Sequence, residues 1–232
     1  MRSQPKRQVN RRKFLALAGA AAAGVAGARP ASNPGAFKIL GVAASMRPGK
    51  TTATGVRTAI EAAAGVDPRI QTDFVDLGGK DLWSGALGIS SREGRPVKDY
   101  FQEILPKLQD PKLGGLIIGS PCYFRSLSAQ CKLFLERCAV LRKPRLLLAD
   151  KAVGVLAVGG FRNGGQELVI SQIQTILLCH EVFLVGGKPR AHQGATLWNN
   201  YNDDITKDTF GMDTARKLGI RVAEAVLTLA GA

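Results

Sequence analysis

The stretch from Leu113 to Arg137, LGGLIIGSPCYFRSLSAQCKLFLER, limits what this chain can fold into more than any other. It opens on an apolar run without polar alternation, the pattern of a strand buried on both faces in a parallel sheet. Pro121 has no backbone N–H and is expected to end the ladder. Cys122, Tyr123 and Phe124 then fall on a loop just past the strand's carboxyl end. Ser128 can cap a helix in which Ala129, Leu133, Phe134 and Arg137 recur at helical spacing. In open α/β sheets ligands bind at that edge.

The same alternation runs through the chain. Strands are expected at Ala36–Ala44, Ile70–Leu77, Leu113–Gly119, Ala152–Val158 and Val182–Val185. Helices are expected near Thr51–Ala64, Val97–Leu108, Ser128–Leu141, Gln166–Cys179 and Met212–Leu229. Gly78–Pro96 and Gly186–Asp208, the latter with His192 and Trp198, read as long loops. Five such units imply an α/β fold, a three-layer doubly wound five-stranded parallel sheet with right-handed crossovers and order 2-1-3-4-5.

Residues 1–35 stand apart from the domain at 36–232. A basic start, an Ala/Gly-rich middle and Ala26-x-Ala28 follow the plan of an export signal. Asn10-Arg11-Arg12-Lys13-Phe14-Leu15 resembles the twin-arginine signal for export of folded cargo, so a periplasmic location is expected. The bland alternative is a basic tail. Phe14–Ala28 is too short and too weakly apolar for a membrane span. Cleavage after Ala28 would remove Arg2, Lys6, Arg7, Arg11, Arg12 and Lys13 and no acid, so the net charge falls from +14 to +8. The remaining bases are scattered, which argues against a nucleic-acid surface. Of the four cysteines, Cys131 and Cys138 sit about 10 Å apart along one helix, too far to bridge. With Cys179 they read as small buried hydrophobes. There is no CxxC pair and no metal-ligand spacing.

Three loops at the carboxyl edge carry the candidate chemistry. Ser45-Met46-Arg47-Pro48-Gly49-Lys50 offers hydroxyl and cationic groups before a helix N-terminus, as a phosphate cradle does. It stops one residue short of the nucleotide motif GxxxxGK[ST], because Ala44 stands at the first glycine. Pro121–Ser126 supplies Tyr123 and Phe124 as cover for a planar ligand or as an interface patch. Gly159–Gly165 has four glycines, which let backbone approach a ligand or simply ease a turn.

GSPCYFRSLSAQCKLFLER resembles the matching segment of flavodoxin-like NADPH-dependent FMN reductases and iron–sulfur flavoproteins. VGGFRNGGQE is similar to their third flavin loop, SMRPGKTT to their phosphate loop and TARKLGIRVAEAV to their last helix. The likeness spans Phe37 to Ala230. It implies a flavodoxin-like FMN-dependent oxidoreductase with non-covalent FMN, NAD(P)H as reductant, a small-molecule or protein redox partner, and a dimer or tetramer. By the same resemblance Ser45, Arg47, Lys50, Thr51 and Thr52 would hold the phosphate. Pro121, Cys122, Tyr123 and Phe124, with Gly159, Gly160, Asn163 and Gly164, would hold the ring. Flavin carries the redox chemistry, so no catalytic side chain is implied. A flavodoxin-type electron carrier and a flavin-free binding module remain as alternatives. Two departures matter. Gly78–Pro96 contains no cysteine, where the iron–sulfur members carry their cluster, so no metal is expected. Arg125 replaces the family's glycine, and an arginine is expected either to change the turn or to reach across the site mouth.

Overall fold

The computed structural model describes residues 35–83, 91–92, 95–96 and 99–231. The leader therefore lies outside the described residues. Strand β1 (Phe37–Ala43), helix α1 (Thr51–Ala64) and strand β2 (Ile70–Asp76) open the fold, followed by a ribbon of β3 (Ser91–Arg92) and β4 (Arg95–Pro96). Helix α2 (Phe101–Leu108), β5 (Leu113–Tyr123), β6 (Ser126–Leu127) and α3 (Ala129–Arg137) come next. Strand β7 (Ala152–Gly159), α4 (Gln166–Leu178), β8 (Phe183–Leu184), β9 (Ala195–Trp198) and α5 (Thr209–Ala230) complete it.

The main sheet runs β2-β1-β5-β7-β8, all parallel, which is the expected 2-1-3-4-5 order. Successive residues of each strand serve opposite faces. Leu40, Val42, Leu116 and Ile118 pack toward α2, α3 and α4, while Ile39, Ala43, Ile117 and Leu156 pack toward α1 and α5. Both faces are therefore apolar, which is why the strands show no polar alternation.

Four details differ from the sequence reading. Strand β5 continues through Pro121 to Tyr123. Gly119 accepts a hydrogen bond from Ala44 N–H, on the β1 side. Two residues on, Pro121 faces that same side beyond the end of β1, so its missing N–H forfeits no ladder bond. The fifth strand position is shared: β8 pairs with Ala152–Val153 and β9 with Leu156–Gly159 of β7. Part of the expected 186–208 loop is thus sheet. The helix expected to run to Leu141 becomes a tighter 3-10 turn at Cys138–Arg142. Cys131 and Cys138 are buried free thiols, but Cys179 is exposed. It follows α4 two residues after the buried Leu177, which turns it about 200° from the core face. Burial pushes the Cys131 thiol up to about 12.

Candidate functional site

The loops after β1, β5 and β7 converge at the carboxyl edge of the sheet. They enclose a cavity of about 820 Å³ walled by Arg47 and Thr51, by Pro121 to Arg125, by Val158 to Phe161 with Gly164, and by Asn199, Tyr201 and Asp203.

The first loop is held from below. Ser45 is buried and its Oγ accepts from Arg47 N–H at 3.1 Å. Asp76, at the end of β2, accepts from Gly49 N–H at 2.7 Å and from Gly78 N–H at 2.9 Å. Gly79 N–H donates to the Met46 carbonyl at 3.0 Å. Helix α1 then starts at Thr51, and its N-cap Lys50 makes no side-chain capping bond. The helix therefore presents first-turn N–H groups and a positive dipole end beside the cavity. Arg47 pairs with Asp203 at 2.6 Å, and Lys50 lies 3.8 Å from the other oxygen of that carboxylate. The bond to Asp203 raises the pKa of the Arg47 guanidinium further.

The second loop is a two-residue hairpin. Cys122 pairs with Leu127 and Tyr123 with Ser126, leaving Phe124 and Arg125 at the turn with φ of 49° and 62°. Of the two turns that suit a right-twisted two-residue hairpin, this is the one that takes left-handed backbone at both positions. Arg125 therefore adopts the conformation a glycine would favour, against the expectation that an arginine resists it. Its side chain also packs over Gly165 and lines the cavity mouth. Replacing Arg125 by glycine should raise the unfolding free energy by about 1 kcal/mol, the lower end of the left-handed cost for a side-chain-bearing residue. Urea denaturation measures this, and a drop in stability would show that packing on Gly165 outweighs the relief.

The third loop is tied to both neighbours. The Cys122 thiol donates to the Gly164 carbonyl at 3.1 Å, and partial burial raises its pKa. The buried Gln166 amide donates to Phe161 O at 2.7 Å and Leu197 O at 3.1 Å. Arg162 ion-pairs with the buried Asp208 and stacks near Trp198 and Phe210, at 5.5 and 5.3 Å. Trp198 thus braces this loop from β9, and His192 is exposed outside the cavity.

Of the residues named from the sequence, Arg47, Thr51, Pro121, Cys122, Tyr123, Phe124, Gly159, Gly160 and Gly164 line this one cavity. Ser45 braces the first loop. Lys50 stands at its outer edge against Asp203. Thr52 is turned inward: a Cβ on Gly119 would lie 3.2 Å from its methyl. Asn163 lines an adjoining groove with Arg125, Arg162 and Arg190. Sequence reasoning missed Asp76, Asn199, Tyr201 and Asp203. Only Asp76 had a signal, as an acid at the end of the strand next to β1.

Comparison with known proteins agrees with this geometry. The model of the NADPH-dependent FMN reductase family matches residues 37–195. The chain belongs to that family. As a member it is an FMN-dependent oxidoreductase of flavodoxin-like fold. An iron-sulfur flavoprotein of Methanocaldococcus jannaschii is 39% identical over 82% of this chain and 97% of its own. An iron-sulfur flavoprotein of Methanosarcina thermophila is 28% identical over 78% and 93%. Among solved structures, a flavodoxin, WrbA-like protein from Agrobacterium tumefaciens shares the fold at TM-score 0.55 and 15% identity, covering 83% of this chain and 98% of its own.

The residues fit the family's flavin. Around the cavity stand Arg47, an uncapped helix start, aromatic side chains and close backbone, with Lys50 at its edge. They do not fit an iron–sulfur cluster, which needs convergent thiolates. Cys131 and Cys138 lie in the core under α3, Cys122 faces the cavity and Cys179 faces solvent beyond α4. Among the described residues no group of three or more His, Cys, Asp or Glu could hold a metal ion.

Proposed function

We propose that this family member holds FMN non-covalently at the three-loop cavity and passes electrons from NAD(P)H or a protein donor to a small acceptor. The observation that carries the reading is that Arg47 and the α1 start, with Lys50 beside them at Asp203, meet Tyr123, Phe124, Gly159 and Gly160 around one cavity. FMN supplies the redox chemistry when bound. The chain's own groups bind and orient: Arg47, Lys50 and Thr51 take the phosphate, with Ser45 and Thr52 packed behind them. The hairpin and the Gly159–Gly164 loop flank the ring, and Tyr123, Phe161 and Tyr201 keep water from it. Exposed Tyr123, Phe124, Phe161 and Tyr201 at the mouth also offer an apolar surface to a docked protein or a second subunit.

The unaltered protein should bind FMN more tightly than riboflavin. Arg47→Ala should weaken FMN about 10- to 100-fold, the worth of one charge-assisted hydrogen bond, and leave riboflavin nearly unchanged. Fluorescence titration with both ligands measures this. Equal affinity of the unaltered protein for the two would defeat the phosphate assignment. Turnover with NAD(P)H and a quinone then separates an enzyme from a carrier that transfers electrons only to another protein.

Export completes the proposal. Its support is the twin-arginine pattern at Arg11-Arg12 ahead of an Ala/Gly run. Among the described residues no helix is long and apolar enough to cross a membrane. Changing Arg11 and Arg12 to lysine should keep the protein inside the inner membrane, and fractionation that finds it undiminished outside would refute this part.

A further inference from the structure

We propose that Asp203 is a built-in competitor for the FMN phosphate. The inference rests on the phosphate reading above and adds a residue that opposes it. The Asp203 carboxylate reaches both candidate phosphate-binding cations at once, Arg47 at 2.6 Å through one oxygen and Lys50 at 3.8 Å through the other. A carboxylate in that position is a chemical likeness of the anion the loop is built to take. A phosphate on the same two cations would stand within a few ångströms of it, and like charges repel at that range. The phosphate must therefore displace the carboxylate.

The pair is arranged to yield. Asp203 is 41% exposed and Arg47 45%, so water and salt reach the contact and it is weak. Asp203 belongs to a stretch in which Asn200, Tyr201 and Asp203 all take left-handed backbone, at φ of 46°, 57° and 53°. Strain of that kind persists where the surroundings hold it and clusters at ligand sites. The same stretch lays the Tyr201 ring over Gly160, where an added Cβ would come within 2.7 Å of the ring, and against Phe161 at 5.6 Å. One short loop thus touches both candidate phosphate cations and the Gly160–Phe161 backbone and ring that line the same cavity.

The test compares FMN and riboflavin binding to the full chain with and without Asp203→Asn. Asparagine tolerates left-handed backbone, so the loop keeps its shape while the charge is lost. FMN should bind about 3- to 20-fold more tightly, the sum of two exposed ion pairs, and riboflavin should stay within about twofold. The gain should shrink in about 0.5 M salt. Unchanged or weaker FMN binding in the variant, with the unaltered protein still preferring FMN over riboflavin, overturns the competitor and leaves the phosphate site standing. If the unaltered protein shows no such preference, the phosphate reading falls and the competitor with it. A gain shared equally by riboflavin also overturns it, because the effect would not then act through the phosphate.

Discussion

Replacing Asp99 by alanine is expected to cost about 3–5 kcal/mol of stability, the range for breaking a buried ion pair from one side. Asp99 and Arg137 are bonded through Oδ2 and Nη2, with side chains only 8% and 2% exposed. The guanidinium also lies 5.0 Å from the centre of the Phe101 ring. Asp99 Oδ1 accepts from Phe101 N–H at 3.2 Å, so the same carboxylate steadies the start of α2. Arg137 ends α3, the helix that leaves the aromatic hairpin. Alanine would leave the buried guanidinium without this carboxylate. Asp99→Asn keeps a hydrogen-bond acceptor and should lose less. Urea unfolding at low and high salt is the measurement. Because the pair is buried, salt should not close the gap between the variant and the unaltered protein. A loss below about 1 kcal/mol would mean that Arg137 reaches water once Asp99 is gone.

The elements that could be read from the sequence are those whose signal is local. LGGLIIGS and AVGVLAVG are apolar on both faces because helices cover both, and that shows without any knowledge of partners. Pro121 was misleading because its effect depends on which neighbour stands beside it, and β1 has already ended there. The fifth strand was half visible for a related reason. Phe183–Leu184 and Ala195–Trp198 are each too short to announce themselves, and only the length of β7 gathers them onto one edge. The site divides the same way. Arg47, Thr51 and the Pro121–Phe124 turn follow from strand-to-turn patterns and from the family likeness. Asp203 sits in a polar loop far along the chain and meets Arg47 only through tertiary structure. Arg125 has the sidedness of a hairpin imposed on it by pairing, which overrides its own backbone preference. Ser128 and Gln130 show what a family segment can conceal. Ser128 Oγ donates to Ala44 O at 2.6 Å, and the Gln130 amide donates to Leu77 O and Lys80 O at 2.8 and 2.7 Å. Those two residues fasten α3 to the ends of β1 and β2, beside the proposed phosphate loop, and neither lines the cavity.

That fastening makes Gly78 the position where a single methyl group should do the most damage to ligand binding. A Cβ there would stand 2.3 Å from the Cα and N of Pro48 and 2.7 Å from the carbonyl carbon of Arg47. These are backbone atoms of the proposed phosphate loop and cannot rotate away. The loop is also anchored to the same segment by Gly49 N–H on Asp76, a carboxylate that takes Gly78 N–H as well, and by Gly79 N–H on Met46 O. Gly78→Ala must therefore push residues 47–48 outward by roughly an ångström or break those bonds. Losing one charge-assisted hydrogen bond to the phosphate costs about 1.5–3 kcal/mol, on the order of 10- to 100-fold in affinity. FMN affinity should fall by about that factor, although no charge and no proposed contact group has been removed. Riboflavin affinity should fall far less, because the residues proposed to flank the ring follow β5 and β7. The global fold should survive, since Gly78 lies past the end of β2 and outside both apolar cores. Titration with both ligands, alongside a thermal melt, decides the matter. Undiminished FMN affinity in a well-folded Gly78→Ala protein would mean that the position of this loop does not govern phosphate binding. Equal losses for FMN and riboflavin would place the damage in the whole site and not in its phosphate end.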